Sequence, residues 1–345
     1  MRITPSDEQD DFRAVVRRFL EENSPIAEVR RLMETEQGHN TEVWQRLSEE
    51  LGLPGLHIPE EYGGQGFGYV EACIVMEEAG RALLCAPFFA SVALGANIIL
   101  QGASEKQKKQ LLPGVASGQT IATLAFAEAD GVWSTSSVAT TAEPEADAFR
   151  LDGEKHYVVD GKSADLIVVV ARAPGSTGDD GISLFAVEGS AQGLTREGLT
   201  TTDQTRKLSR LRFSGVRGEM LGEAGAAAPA LSRTLDLAAI ALANESVGAA
   251  QKVLEDSVAY AKTRVQFGRP IGSFQAIKHK CADMLLEVEL ARSAASYAAA
   301  AVAANSDEVP TLASLAKAFA SDAFFRVARD NIQIHGGIGF TWEQD

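Results

Sequence analysis

The feature that most restricts the fold is a helical pattern that begins near residue 226 and runs to the end of the chain. Residues 229–264 repeat apolar side chains at helical spacing and predict an unusually long helix, closed by the region of Gly268 and Pro270. Residues 273–306 and 310–337 predict two further long helices, and the alanine-rich faces of the first of these two permit close packing. We therefore expect a C-terminal domain of the four-helix-bundle type over residues 226–345.

The two preceding segments of the chain have different sequence patterns. Residues 1–120 contain amphipathic helical stretches, beginning with one that Ser6 can cap and ending with a short helix that we expect Pro113 to stop. Residues 121–225 contain short β-rich runs separated by Gly, Asp, Pro and Ser, without helical crossovers. The predicted fold is α+β: an N-terminal helical domain, a middle antiparallel β domain, here a sheet or small barrel, and the C-terminal bundle.

Composition excludes several classes of function. A formal net charge of −15 repels nucleic acid, and the three cysteines and five histidines show no metal-site spacing. Residues 82–100 are long enough to span a membrane, but Pro87, Gly95 and Asn97 favour buried helix and loop instead. The charged N-terminus lacks the apolar core of a signal peptide. We expect a cytoplasmic protein with no metal, no nucleic-acid partner and no membrane span.

One carboxylate stands out in the long predicted helix. Glu245 is the single charged residue in the otherwise small or apolar stretch 237–251. A cationic partner on another helix would explain it as part of the structure. A catalytic base in a dry pocket would explain it as well, because burial raises the pKa of a carboxyl group. Both interpretations stay open.

Two segments carry more sequence detail than a simple helix connection requires. In RVQFGRPIGSFQAIKH, residues 264–279, an arginine stands beside a Phe-Gly turn and a new helix entered at Ser273, which suits a pyrophosphate. In IQIHGGIGFTWE, residues 332–343, the Gly-Gly pair allows close backbone approach to a ligand. Taken singly, each segment is better explained as a corner between two helices.

Taken together with the order of the three segments, these motifs resemble the acyl-CoA dehydrogenases. The chain has RxxFGxxIxxFQ at 264–275 and QIxGGxGF at 333–340, behind a helical and a β segment in that family's order. It is most similar to the shorter actinobacterial-type members, including those linked to the breakdown of steroid and other bulky acyl-CoAs. The resemblance implies FAD-dependent α,β-dehydrogenation of an acyl-CoA in lipid, fatty acid or steroid side-chain catabolism. It further implies an electron-transfer flavoprotein or similar acceptor, and a homo- or hetero-oligomer, dimeric or tetrameric.

The resemblance also implies roles for individual residues. In the family, the nucleotide half of each FAD is shared across a dimer interface. The residues that match this part of the motif, all of which would contact a neighbouring protomer's FAD, are Arg264, Phe267, Gln275, Gln333, Gly336 and Gly337.

The half of the site that would hold the flavin ring departs from the family pattern. Ala127 replaces a threonine that usually bonds the flavin pyrimidine, and Trp133 replaces a serine near the CoA. The family's Trp-x-Thr is Tyr157-Val158-Val159, so Tyr157 can cover the flavin ring, whereas Val159 has only its backbone N–H to offer near N5.

The candidate catalytic base also stands at a different position from the base of family members. Some members carry a base at the position of Ala238, which cannot act as one, and Leu242 lies one turn further on beside the expected acyl group. Glu245 shares that helical face but lies about 10 Å along the axis from Ala238. It is the candidate base for an acyl group that is bulky or differently seated.

Three functions are compatible with these observations. The first is an active acyl-CoA dehydrogenase. The second is a subunit of a heteromer that keeps the arm gripping its neighbour's FAD but has lost part of its own flavin site. The third is a flavin-free protein that binds acyl thioesters on the same fold, since a fold does not determine a function.

Overall fold

The structure, a computed structural model, describes residues 4–345. It begins with helices separated by short loops and 3₁₀ turns. Among residues 4–345, no helix is both long enough and apolar enough to cross a lipid bilayer. The six helices that precede the sheet are α1 (Asp7–Asn23), α2 (Ile26–Met33), α3 (Thr41–Glu49), α4 (Tyr69–Ala82), α5 (Asn97–Gly102) and α6 (Glu105–Ala116).

The ends of these helices follow local sequence signals, with one exception. Ser6 caps α1 in a reciprocal capping box with Gln9, as its position before an amphipathic run predicts. The expectation that Pro113 stops α6 was wrong, because the helix continues to Ala116. Proline removes only one hydrogen bond, and burial of Leu112 and Val115 on the same helix favours keeping the last turn formed.

The apolar stretch at 82–100 forms buried helix and loop. Residues Phe89–Ala96 form a π-helix that continues directly into α5, and every residue of the π-helix is buried. The Ser91 hydroxyl accepts a hydrogen bond from the backbone N–H of Ala122 at 3.2 Å, and Gly95 lies against the same residue. This segment therefore packs on the first strand of the sheet.

The middle of the chain is a seven-stranded sheet. Its order is β1-β4-β2-β3-β7-β5, with β6 paired to β7 and an additional β4–β5 pairing. Most pairs are antiparallel, as expected, but β1 runs parallel to β4. The strands are β1 (Ala122–Ala125), β2 (Thr141–Glu145), β3 (Ala148–Val159), β4 (Leu166–Arg172), β5 (Ile182–Glu188), β6 (Leu194–Gly198) and β7 (Leu208–Leu221).

The C-terminal part is helical, as the periodicity predicts. Helix α7 (Ala228–Thr263) is followed by a hairpin of β8 (Val265–Gln266) and β9 (Arg269–Pro270), then by α8 (Gln275–Ala303) and α9 (Val309–His335). The alanines of α8 and α9 include many buried positions, which lets the two helices pack closely. The second long helix is entered at Gln275, behind a 3₁₀ turn, rather than at Ser273.

The chain divides into two compact units. The first contains the residues up to Glu28, Tyr69–Leu84 and Ala239–Asp345. The second contains Val29–Gly68 and Cys85–Ala238, and therefore the whole sheet. The division into domains at residues 120 and 225 is a different partition of the chain and stays a prediction.

Candidate functional site

The second unit contains a cavity of about 710 Å³ beside the sheet. One wall is the loop that follows β1, contributing Phe126, Trp133 and Thr135. The other wall is the first turns of α7, contributing Leu231 and Leu235. A volume of this size is within the range of pockets that bind small molecules and cofactors.

Two aromatic rings form the most distinctive part of this cavity. Phe126 and Trp133 meet edge to face, with their ring centroids 5.9 Å apart and their planes inclined by 75°. Trp133 is 65% exposed, so most of its indole surface is available to a ligand. An open indole beside leucine side chains offers a large apolar surface with one hydrogen-bond donor.

A buried ion pair anchors the loop that carries Trp133. Glu128 Oε1 accepts hydrogen bonds from Lys155 Nζ at 2.7 Å and from the backbone N–H groups of Ala139 and Thr140 at 2.9 Å each. Burial lowers the pKa of Lys155 to about 8. Burial also works against ionisation of Glu128, but Lys155 and Thr140 outweigh it and leave the Glu128 pKa below its ordinary value. The pair is charged at neutral pH and fixes both ends of the loop on β3.

A buried arginine closes the far end of the same loop. The Arg172 guanidinium donates to the backbone carbonyls of Val138, Thr135 and Gly178, the last two at 2.8 and 3.1 Å. The Thr135 hydroxyl also donates to Asp179. These bonds hold the cavity loop against the turn that joins β4 to β5.

Tyr157 is displayed by an irregularity in β3. The β3–β7 register shifts between Lys155 and Val158, and Tyr157 has a left-handed backbone with φ of +56° and remains 48% exposed. Bulges of this kind redirect a side chain and are common beside active sites, and such backbone strain is concentrated at functional positions. A Cβ on Gly131 would lie 4.0 Å from the Tyr157 ring, so Tyr157 stands beside the cavity loop.

The structure brings four of the predicted site residues to one end of the sheet. The backbone N–H of His156 donates to the Ala127 carbonyl at 2.9 Å, which places Ala127 beside Tyr157. The Thr123 hydroxyl donates to the Val159 carbonyl at 2.6 Å, which ties the end of β3 to β1. Ala127 and Val159 thus flank Tyr157, and Trp133 lies on the adjoining loop.

Three further predicted residues lie on helix α7. Ala238 is buried, whereas Leu242 and Glu245 are half-buried. Their spacing of four and three residues places them along one helical face. Beside Glu245 the backbones of α4 and α7 approach closely, because a Cβ on Gly80 would lie 2.0 Å from the Glu245 carbonyl oxygen.

The remaining predicted residues gather at one end of the first unit. Tyr260 stacks on His335 with ring centroids 4.1 Å apart, and Ile271 packs in the same apolar cluster as Ile334. The segment that contains Arg264, Phe267 and Gln275 is therefore close to the segment that contains Gln333, Gly336 and Gly337. All six of these predicted residues are exposed.

Three glycines of these two segments, Gly268, Gly336 and Gly337, have open space around them. Phe267 and Gly268 have φ of +55° and +76°, as the two central residues of a type I′ hairpin turn require, and Phe267 is 92% exposed. Beyond the adjacent backbone, no atom of residues 4–345 would lie within 4 Å of a Cβ added to Gly336 or Gly337. Neither packing within the protein nor a left-handed backbone therefore requires a glycine at position 337. A ligand that approaches the backbone closely would explain the glycine. The exposed guanidinium of Arg264 and the exposed side-chain amides of Gln275 and Gln333 suit the phosphates of a dinucleotide.

The sequence also missed residues that the cavity uses. Phe126, Leu231 and Leu235 line it, while Lys155 and Arg172 hold its loop in place. A signal for Lys155 was present, since it lies four residues after Leu151 in β3 and shares its buried face. Among residues 4–345, no group of three His, Cys, Asp or Glu side chains could hold a metal ion.

Comparison with known proteins settles the family. The family descriptions "Acyl-CoA dehydrogenase, N-terminal domain", "middle domain" and "C-terminal domain" match residues 6–119, 123–216 and 228–345. The chain belongs to the acyl-CoA dehydrogenase family. It is an oxidoreductase that acts on the CH–CH group of an acyl-CoA, and its family is flavin-dependent and serves lipid metabolism.

Similar proteins cover nearly the whole chain. Acyl-CoA dehydrogenase IpdE2 of Mycobacterium tuberculosis is 33% identical over 99% of this chain and 90% of its own length. The structure of butyryl-CoA dehydrogenase from Megasphaera elsdenii superposes with a TM-score of 0.93 at 30% identity, covering 100% of this chain and 92% of that one. A chain of the ChsE4–ChsE5 complex from M. tuberculosis superposes with a TM-score of 0.87 at 27% identity, covering 99% and 90%.

Proposed function

We propose that this chain binds FAD and uses Glu245 to start the α,β-dehydrogenation of an acyl-CoA thioester. The observation that carries the proposal is the gathering of Ala127, Tyr157 and Val159 at one end of the sheet, next to the loop whose Trp133 lines a cavity of about 710 Å³. The acyl-CoA would enter this cavity along the exposed indole of Trp133. Tyr157, held outward by its left-handed backbone, would cover the flavin ring.

The protein's own residues have two tasks in this reaction. Glu245 removes a proton from Cα, and the acidity of that proton rises when hydrogen bonds polarise the thioester carbonyl. Leu242 and Ala238, on the same face of α7, orient the acyl chain and help to exclude water. When bound, FAD supplies the acceptor for the hydride that leaves Cβ as the double bond forms.

We assign the nucleotide end of FAD to the exposed segments near Arg264 and Gly337. Arg264, Phe267 and Gln275 would contact the pyrophosphate region, and Gln333, Gly336 and Gly337 the adenylate end. Their exposure supports a site completed by a neighbouring protomer, because a lone protomer leaves these donors in water. A homo-oligomer, dimeric or tetrameric, is the simpler arrangement.

A heteromer is the second candidate. It is favoured by one asymmetry, since the arm that would grip the neighbour's FAD keeps the family motif, while Ala127 and Trp133 depart from it. The ChsE4–ChsE5 structure is a complex of two different chains. In that arrangement this chain would complete its partner's FAD site and contribute less to its own.

Substitution of the proposed base provides the sharpest test. We expect Glu245→Gln to lower kcat by roughly 10²–10⁴-fold, the usual contribution of a general base, while the visible flavin spectrum is unchanged. Asp236→Asn is the matched control, because Asp236 is half-buried on the same helix but two residues from Ala238 and therefore on another face. Turnover of Glu245→Gln within a few-fold of wild type would assign Glu245 a structural role.

Purification with and without the chromosomally adjacent subunit separates the remaining alternatives. A yellow lone protein that reduces an artificial acceptor with acyl-CoAs, from butyryl-CoA to a steroid side-chain CoA, supports the homo-oligomer. Colour and turnover that require co-expression support the heteromer. A colourless protein that still binds CoA esters contradicts the FAD proposal. An electron-transferring flavoprotein, the acceptor we propose, is tested by replacing the dye with that protein.

We also propose domain limits of 1–120, 121–225 and 226–345 for this enzyme. The family matches support them, because one ends at 119, the next starts at 123 and the last starts at 228. Limited proteolysis that releases stable fragments cut near residues 120 and 225 would agree with these limits.

A further inference from the structure

The first unit contains a second cavity, of about 390 Å³, that none of the residues assigned to FAD or acyl-CoA lines. It lies among helices α1, α4, α7 and α8. Six ionisable side chains line it: Arg13, Arg17, Arg81, Arg292, Glu77 and Glu78. The lining carries four guanidinium groups and two carboxylates, and two further carboxylates, Glu255 and Glu289, pair with Arg81 and Arg292.

The two carboxylates are already engaged by three of the arginines. Glu77 accepts from Arg13 at 2.7 Å and also from Arg292. Glu78 accepts from Arg13 at 3.0 Å and from Arg17 at 2.8 Å. Both carboxylates are nearly inaccessible to solvent, so their oxygens are saturated by these contacts. The fourth arginine, Arg81, pairs with Glu255 instead.

Within residues 4–345, one donor of Arg81 has no acceptor. Its Nη2 donates to Glu255 at 2.5 Å, whereas its Nη1 is buried and has no hydrogen-bond acceptor among residues 4–345. A buried donor left unsatisfied destabilises the fold, and more so when it is charged. An acceptor inside the cavity would remove this cost.

We propose that this cavity binds a phosphate-class oxyanion, either inorganic phosphate or the phosphate of a monoester. Guanidinium groups recognise phosphate oxygens through paired, charge-assisted hydrogen bonds, and a tetrahedral oxyanion can accept from several arginines at once. Arg81 Nη1 is the central donor, and Ser296, which also lines the cavity, is placed to add a hydroxyl. The bound anion would link α1 to α4 and α8 and stabilise this unit.

The test measures binding and stabilisation in the purified full-length protein loaded with FAD. Isothermal titration gives the Kd for inorganic phosphate and for glycerol 3-phosphate. Thermal unfolding is followed in each anion and in sodium chloride at the same ionic strength. The key variant is Arg81→Met. The control is Arg210→Met, which removes a surface arginine paired with Glu197 in the other unit.

We expect phosphate to raise the unfolding midpoint of wild type and Arg210→Met above the value in chloride, as ligand binding to the folded state requires. Arg81→Met should weaken binding by about tenfold or more, the loss expected for a charge-assisted contact. A lower Kd for glycerol 3-phosphate than for inorganic phosphate would identify a phosphate monoester as the ligand. Equal Kd values for the two would identify inorganic phosphate. Equal responses in wild type and Arg81→Met, or no response beyond chloride, would overturn the proposal.

A second variant covers the case in which Arg81→Met does not fold. Ser296→Leu fills the cavity without removing a charge. If phosphate still raises its midpoint and binds with the wild-type Kd, the anion binds elsewhere and the proposal is wrong. Loss of phosphate binding in Ser296→Leu, with flavin content and turnover retained, supports the cavity as the site. These readouts are independent of the assignment of Glu245.

Discussion

Replacement of Lys155 by methionine should weaken both the fold and acyl-CoA binding. The Lys155 side chain is fully buried, and its ammonium group donates to Glu128 at 2.7 Å and to the Phe126 carbonyl at 3.1 Å. Methionine retains the volume but removes both bonds. The loop that carries Trp133 then loses its anchor on β3, and the Glu128 carboxylate remains without its cationic partner.

The magnitude follows from what Glu128 loses and what it keeps. Removing one partner of a buried ion pair costs about 3–5 kcal/mol. Glu128 keeps two backbone N–H donors and the Thr140 hydroxyl, and its side chain is 12% exposed, so part of its charge remains solvated. We therefore expect a loss of about 2–4 kcal/mol in the free energy of unfolding, near the lower end of that range.

Urea unfolding followed by circular dichroism measures this loss. Lys252→Met is the matched control, because Lys252 forms an exposed pair with Asp256 one turn away on α7, and such pairs contribute a few tenths of a kcal/mol. The double variant Lys155→Met with Glu128→Gln removes the unpaired charge and should recover about half of the loss. Turnover assays should show an increase in KM that exceeds the decrease in kcat. A loss no larger than that of Lys252→Met would refute the assignment of Lys155 as the anchor.

Three further predictions concern Asp160, Gly248 and Gly337. Burial raises the pKa of Asp160 to about 7, above its unfolded value near 3.8, so its stabilising contribution is complete below that lower value and is lost as pH rises to 7. Asp160→Asn should therefore be more stable than wild type at pH 8, on the order of 2–4 kcal/mol, and show no such gain near pH 4 when unfolded in urea. Gly248→Ala should lower the free energy of unfolding by about 1–3 kcal/mol or more, and the unfolding midpoint with it, because its Cβ would lie 1.7 Å from the Glu77 carbonyl oxygen. Gly337→Ala, with open space around it, should keep the wild-type midpoint but retain less flavin by visible absorbance, and equal midpoints for the two alanine variants would contradict this reasoning.

Long helices were the part of the fold that the sequence predicted best. Helix α7 was expected over 229–264 and runs from Ala228 to Thr263, because its apolar periodicity persists over many turns. Pro113 shows where a local rule fails, since packing of neighbouring side chains outweighed one lost hydrogen bond. The pairing of β1 with β4 was not predictable, because β4 begins about forty residues later and nothing local to either strand records its partner.

In the candidate site too, features set by the local sequence were predictable, whereas features set by distant residues were not. The family motifs located the segments near Arg264 and Gly337, and the structure places them side by side. The left-handed backbone of Tyr157 was invisible in the sequence, because it results from a register shift against β7. The four arginines around Glu77 and Glu78 were missed because they come from helices separated by up to about 280 residues.

The long sequence separation within that cluster has a consequence for synthesis on the ribosome. Glu77 and Glu78 are made early, but Arg292, which neutralises part of their charge, is translated 215 residues after Glu77. The unit built around the sheet has all its residues once Ala238 has been translated and can fold first. Helices α1 and α4 must wait for the C-terminal helices, so a truncated or stalled chain exposes them to chaperones and proteases.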